Sequence, residues 1–139
     1  MAFSNYLIKV GNYEIPLKMI QADSYKVVRT VIDLDSYRDA DGLLHRTALG
    51  HVPNKIEFNT IPQLTNTQWA EFFGNIQNNF IEPKERKANV TFYVPETDSY
   101  VTQEMYMPDI NFQIYAVWEK DNGTKYIKYD AIRLAFIGY

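Results

Sequence analysis

Cysteine is absent from the 139 residues. That excludes disulfide stapling, thiolate nucleophiles and sulfur-ligated zinc, leaves packing or association as the source of stability, and fits a reducing compartment. Histidine is nearly absent, His45 and His51 being the two in the chain. On one strand their even spacing places them on the same side but roughly 20 Å apart, too far to share a metal. Each is read as surface or interface packing. No GxSxG, HExxH or phosphate-cradling glycine loop occurs. No run reaches the ~18 apolar residues of a membrane helix. The opening MAFSNYLIKVGNYEI also lacks the ~7–15-residue apolar core of a signal peptide. Neither a membrane partner nor a targeting segment is expected.

Basic residues do not cluster, and the formal charge is −3. The attraction to phosphate on which nonspecific nucleic-acid binding depends is therefore missing, and such a surface lets DNA slide past without sticking. Scattered carboxylates form a glycosidase pair only when two stand about 5–9 Å apart in a cleft. A small sheet domain with its acids on solvent-facing strand positions is not expected to offer one. Asp39-Ala40-Asp41-Gly42 has the look of a calcium loop, but with Gly42 at position 6 of that loop, Tyr37 and Ala48 fall where Asp and a bidentate Glu are required. The ordinary reading is a hairpin tip, since Asp stabilises turns and Gly supplies positive φ. No enzyme activity, metal or cofactor is expected.

What the chain does have is an ordinary globular balance, 46% hydrophobic against 22% charged, with aromatics raised to 15%. Its length fits a single domain over residues 1–139. Period-two alternation, which sends successive side chains to opposite sheet faces, runs through most of it. In KIEFNT it aligns Ile56 and Phe58; in NVTFYV, Val90, Phe92 and Val94; in NFQIYAVW, Phe112, Ile114, Ala116 and Trp118; in AIRLAFIGY, Ile132, Leu134 and Phe136. These are the expected core. Gly11-Asn12 and Asp121-Asn122-Gly123 signal hairpins, the second separating the last two long strands. KVVRTVIDLD reads as one long strand, either covered on two sides or extending beyond the domain body, with LLHRTAL as partner.

One stretch breaks the rhythm. In TNTQWAEFFGNIQNNF, Trp69, Phe72, Phe73, Ile76 and Phe80 gather on one helical stripe, and Thr65 with Gln68 forms a reciprocal cap. A helix over about 65–80 is predicted, in which Gly74 costs roughly 1 kcal/mol relative to alanine unless close packing requires it. EPKERK, residues 82–87, is a solvated connection. The fold class is mainly β (α+β), an antiparallel β-sandwich or barrel with one flanking amphipathic helix. Tyr93, Tyr100, Tyr106 and Tyr115 fall opposite the expected core positions. They form either an outward aromatic patch suited to sugars or proteins, or rings covered by the chain itself or by another subunit.

The order of short motifs carries a resemblance. Arg38 to Arg46 fits R-[DN]-A-x-G-x-L-x-R; a KIEF strand follows, then Leu64-Thr65 and Trp69 at a helix start, VTFY with Pro95-Glu96, Tyr100-Val101-Thr102 with Tyr106, and Leu134 with Phe136-Ile137. Over roughly residues 25–139 this resembles a family of small prophage tail proteins of low-GC Gram-positive bacteria, encoded near the tape-measure protein. The longer hairpin VWEKDNGTKYIKY and the histidine at position 45 depart from the pattern. The resemblance implies a tail-tube-like or distal-tail-like fold in a virion tail, synthesised in the bacterial host cytoplasm. It also implies a ring homo-oligomer, hexameric, that docks tape-measure, hub and tube proteins around passing DNA. Strand borders left open would then be completed by neighbouring copies. The alternative is a monomeric β-sandwich recognition module binding carbohydrate or a host-surface protein through its tyrosines. In the ring reading, Tyr37, Arg38, Asp39, Asp41, Gly42, Leu44, His45 and Arg46 form a subunit-interface arm. Arg38 and Arg46 reach carboxylates or carbonyls of a neighbour, and Asp39 and Asp41 shape the turn or pair with those arginines. The competing reading of this arm is a mobile solvent loop.

Overall fold

The structure is a computed structural model describing residues 3–30, 33–48 and 53–139. Twelve strands run in order: β1 (Ile8–Val10), β2 (Tyr13–Glu14), β3 (Lys26–Arg29), β4 (Asp33–Arg38), β5 (Leu44–Ala48), β6 (Asn54–Asn59), β7 (Leu64–Thr65), β8 (Lys87–Val94), β9 (Ser99–Tyr106), β10 (Ile114–Glu119), β11 (Lys125–Tyr129) and β12 (Arg133–Gly138). A helix, α1 (Asn66–Gln77), follows β7, and a 3-10 turn spans Leu17–Met19. The main sheet has seven strands in the order β2-β1-β8-β9-β12-β6-β3, all pairs antiparallel. A second sheet is β10-β11-β7, and β4-β5 form a ribbon of their own. The main sheet ends on two different strands, so among the described residues it is an open, sandwich-like layer rather than a closed barrel.

Alternation places the core where expected in the main sheet: Ile56, Phe58, Val90, Phe92, Val94, Ile132, Leu134 and Phe136 are all buried, joined by Ile8, Val10 and Met105. β12 lies between β9 and β6 and buries three consecutive residues, Leu134 to Phe136, because both its faces are covered there. Gly11 and Asn12 make the β1-β2 turn, and Gly11 at φ +59° sits so close to Asn79 that an added Cβ would lie 2.4 Å from its Oδ1. Gly138 is hemmed in similarly by Gln103, which accepts from the Asn54 side chain at 2.9 Å. The helix begins as predicted. Thr65 caps it, its Oγ1 accepting from the Gln68 N–H at 3.2 Å while Gln68 Oε1 accepts from the Thr65 N–H at 3.0 Å. Trp69, Phe72 and Ile76 enter the core, with Phe73 and Phe80 packed against it.

Four expectations need correction. Ile114 and Trp118 are exposed and Ala116 is half-buried, because β10 is the outer strand of the small sheet, and Phe112, just before it, is exposed while its ring edge meets Trp69. Gly74 is not required by packing, since a Cβ there would meet open space. KVVRTVIDLD is two strands, β3 at the edge of the main sheet and β4 in the ribbon with β5. Asp121-Asn122-Gly123 joins β10 to β11, not to the final strand, which belongs to the other sheet.

Candidate functional site

Two regions lie outside the core and carry the features that call for a partner. The first is the β4-β5 arm. From Asp35 to Arg46 every residue is exposed except half-buried Asp39, and the described strands pair only with each other. Its tip is nevertheless well braced. Asp39 Oδ1 accepts from the N–H groups of Asp41 and Leu43, both at 3.0 Å, while Oδ2 meets His45 Nε2 at 2.8 Å. Gly42 takes φ +82°, and Arg38 Nη1 donates to its carbonyl at 2.9 Å. The His45 ring stacks on Tyr37 with centroids 4.8 Å apart and planes 11° from parallel. The His45 hydrogen bond, followed by the Leu43 amide, holds the Asp39 carboxyl below its ordinary value.

Most of the predicted arm residues thus come together. Asp39 shapes the turn, and the side chain its carboxylate hydrogen-bonds is His45 rather than an arginine. Arg38 reaches a carbonyl of its own loop. Arg46 and Asp41 lie on the exposed surface, as does Leu44 on the arm's second strand. His51 lies outside the described residues. No group of acids and histidines able to hold a metal forms among the described residues. No helix there is long and apolar enough to cross a membrane.

The second region, β10 with its hairpin, went unrecognised as a surface. Ile114, Tyr115, Val117 and Trp118 are exposed, Val117 at 62%. The pairing edge opposite β11 has no strand beside it among the described residues. A signal was available in the sequence: Ile114-Tyr115-Ala116-Val117-Trp118 is an unbroken apolar run, which marks a strand covered on both faces, not one half-buried against a core. The tyrosines behave differently. Tyr100 lies 4.8 Å from the Tyr6 ring, donates to the Tyr6 carbonyl at 2.7 Å and accepts from the Ser4 N–H at 2.8 Å. Phe3 packs edge-on against Tyr93, and Tyr106 against Tyr139. The chain's own opening segment therefore covers the Tyr93 and Tyr100 rings, while Tyr115 is exposed on β10.

The family model for the family of unknown function DUF6711 matches residues 1–139. The chain belongs to that family. No curated protein matches it. Among solved structures the chain is similar to a protein in the tail of an empty gene transfer agent particle, computed with helical refinement and C6 symmetry. The TM-score is 0.53 at 14% identity, covering 97% of this chain and 91% of that one. It is also similar to a protein in the virion of the native gene transfer agent particle, with TM-score 0.50, 15% identity and the same coverage. These likenesses establish a shared fold, mainly β with one helix.

Proposed function

We propose that this DUF6711 member is a structural component of a phage-like tail, acting by self-assembly and docking without turnover. The observation that carries the reading is the end-to-end match of its fold, over 97% of the chain, to a protein of a tail with C6 symmetry. Physical features of the chain support it. The apolar β10 edge and the braced arm are surfaces that association would cover, as obligate assemblies cover strand edges. A net charge of −3 suits a conduit that DNA traverses without being held. A six-membered ring, a place in the tube or distal tail, contacts with tape-measure and hub proteins, and a virion location are the finer parts of this proposal. The carbohydrate-binding alternative has less support, because Tyr93 and Tyr100 are engaged by the segment from Phe3 to Tyr6.

The test is imaging and mass spectrometry of purified particles from a host carrying the gene. Density for this chain in a tail, repeated around the axis, is expected; particles lacking it overturn the reading. Replacing Arg38 and Arg46 together by alanine then asks whether the arm takes part. Fewer or shorter tails are expected, and unaltered assembly removes the arm from the interface.

A further inference from the structure

An open groove of about 400 Å3 runs between the Leu17–Met19 turn and α1. Its floor is apolar, formed by Met19, Ile61, Leu64 and Phe72, and its rim carries Lys18 and Glu71. Its size is that of a site for one or two side chains on a projecting turn, and it is too small for a whole strand edge such as β10. The arm offers such a turn. Leu43, at 64%, is the most exposed large apolar side chain among the described residues. It is also held in place: its N–H is fixed by Asp39 and its carbonyl accepts from the Asp39 N–H at 3.0 Å. A braced turn that keeps a leucine largely in water forgoes the stabilisation of burying it until another surface takes it up. Asp41 stands beside it on the tip, opposite in sign to Lys18 on the rim.

Building on the assembly reading, we propose that the arm tip of one copy seats Leu43 in this groove of a neighbouring copy, with Asp41 against Lys18. The contact is heterologous, tip to groove, so each copy gives one and receives one. It can therefore propagate around a ring.

The natural absence of cysteine makes disulfide trapping clean. The double variant Leu43→Cys with Asn75→Cys places one thiol on the tip and one on the groove wall. Oxidation of particles, or of the concentrated chain where particles lack it, is expected to give a reducible ladder of dimers, trimers and higher species that neither single variant gives. Absence of a ladder overturns the docking, as does a link confined within one chain. A companion measurement uses Leu43→Asp, whose largely exposed position should leave the isolated fold intact by thermal melting; self-association should fall roughly tenfold or more. Lys18→Asp should weaken association and Asp41→Lys in the same chain restore it; failure of that rescue removes the pairing. Particles that contain the chain but yield no ladder refute the tip-to-groove contact alone, whereas particles without the chain refute the tail reading.

Discussion

The main sheet and the β10-β11 hairpin are built from similar residues, yet one is a core and the other a surface. β8 carries Val90, Phe92 and Val94 on one face and polar residues on the other, so a single layer of helix and sheet suffices to cover it. β10 carries apolar groups on both faces and has an open edge, a demand that no other strand among the described residues meets. Strict alternation announces a strand that its own domain completes. An uninterrupted apolar run on an outer strand announces one that the described part of its own domain leaves open.

Substitutions in the two regions should break that contrast in opposite senses. Phe92→Ala empties a fully buried site, and a loss of about 3–5 kcal/mol is expected in chemical denaturation, enough to unfold much of the population. Gly11→Ala puts a Cβ against Asn79 at a positive φ, and should cost more than about 1 kcal/mol by the same measurement. Thr65→Ala removes the cap of α1, and stability should fall by about 1 kcal/mol, whereas Gly74→Ala on the same helix should gain a similar amount. Val117→Ser with Trp118→Ala, on the exposed strand, should cost the isolated chain only about 1 kcal/mol, mostly the contact of the Trp118 ring with Lys128. The same pair should abolish incorporation into particles.

The smallest effect concerns the arm. Asp39 has a depressed pKa, so its contribution is present above the ordinary carboxylate value of 3.8 and is lost as pH falls through the lower folded value. The Leu43 and Asp41 amides should lose protection, relative to the unstructured rate at each pH, over that acid range while amides of β8 stay protected. Equal loss of protection in both places would show that the arm is not an independent local unit.

These contrasts also mark what was readable in the sequence. Thr65, Gln68 and the Trp69-Phe72-Ile76 stripe located the helix because capping and helical periodicity are local signals. Ile56, Phe58, Phe92 and Leu134 were legible because each strand is half-buried by its own domain. Phe112, Ile114 and Trp118 misled because period two says that a face is apolar, not what covers it. The stretch from Lys26 to Asp35 hides a change of sheet, as β-branched residues recur through it and only the long-range partners of β3 and β4 differ. At the arm, residue types gave a braced turn, but the pairing of Asp39 with His45 across the turn depends on a bulged register between Leu34 and Tyr37 that spacing alone does not reveal.

The position of β12 has a consequence for how the molecule is made. It is the last strand in chain order, yet it lies between β9 and β6, so the two groups β2-β1-β8-β9 and β6-β3 share no hydrogen-bonded border until it is inserted. Residues 133–138 are therefore the hydrogen-bonded link between the two groups, and truncation before Arg133 should leave the halves of the sheet unjoined.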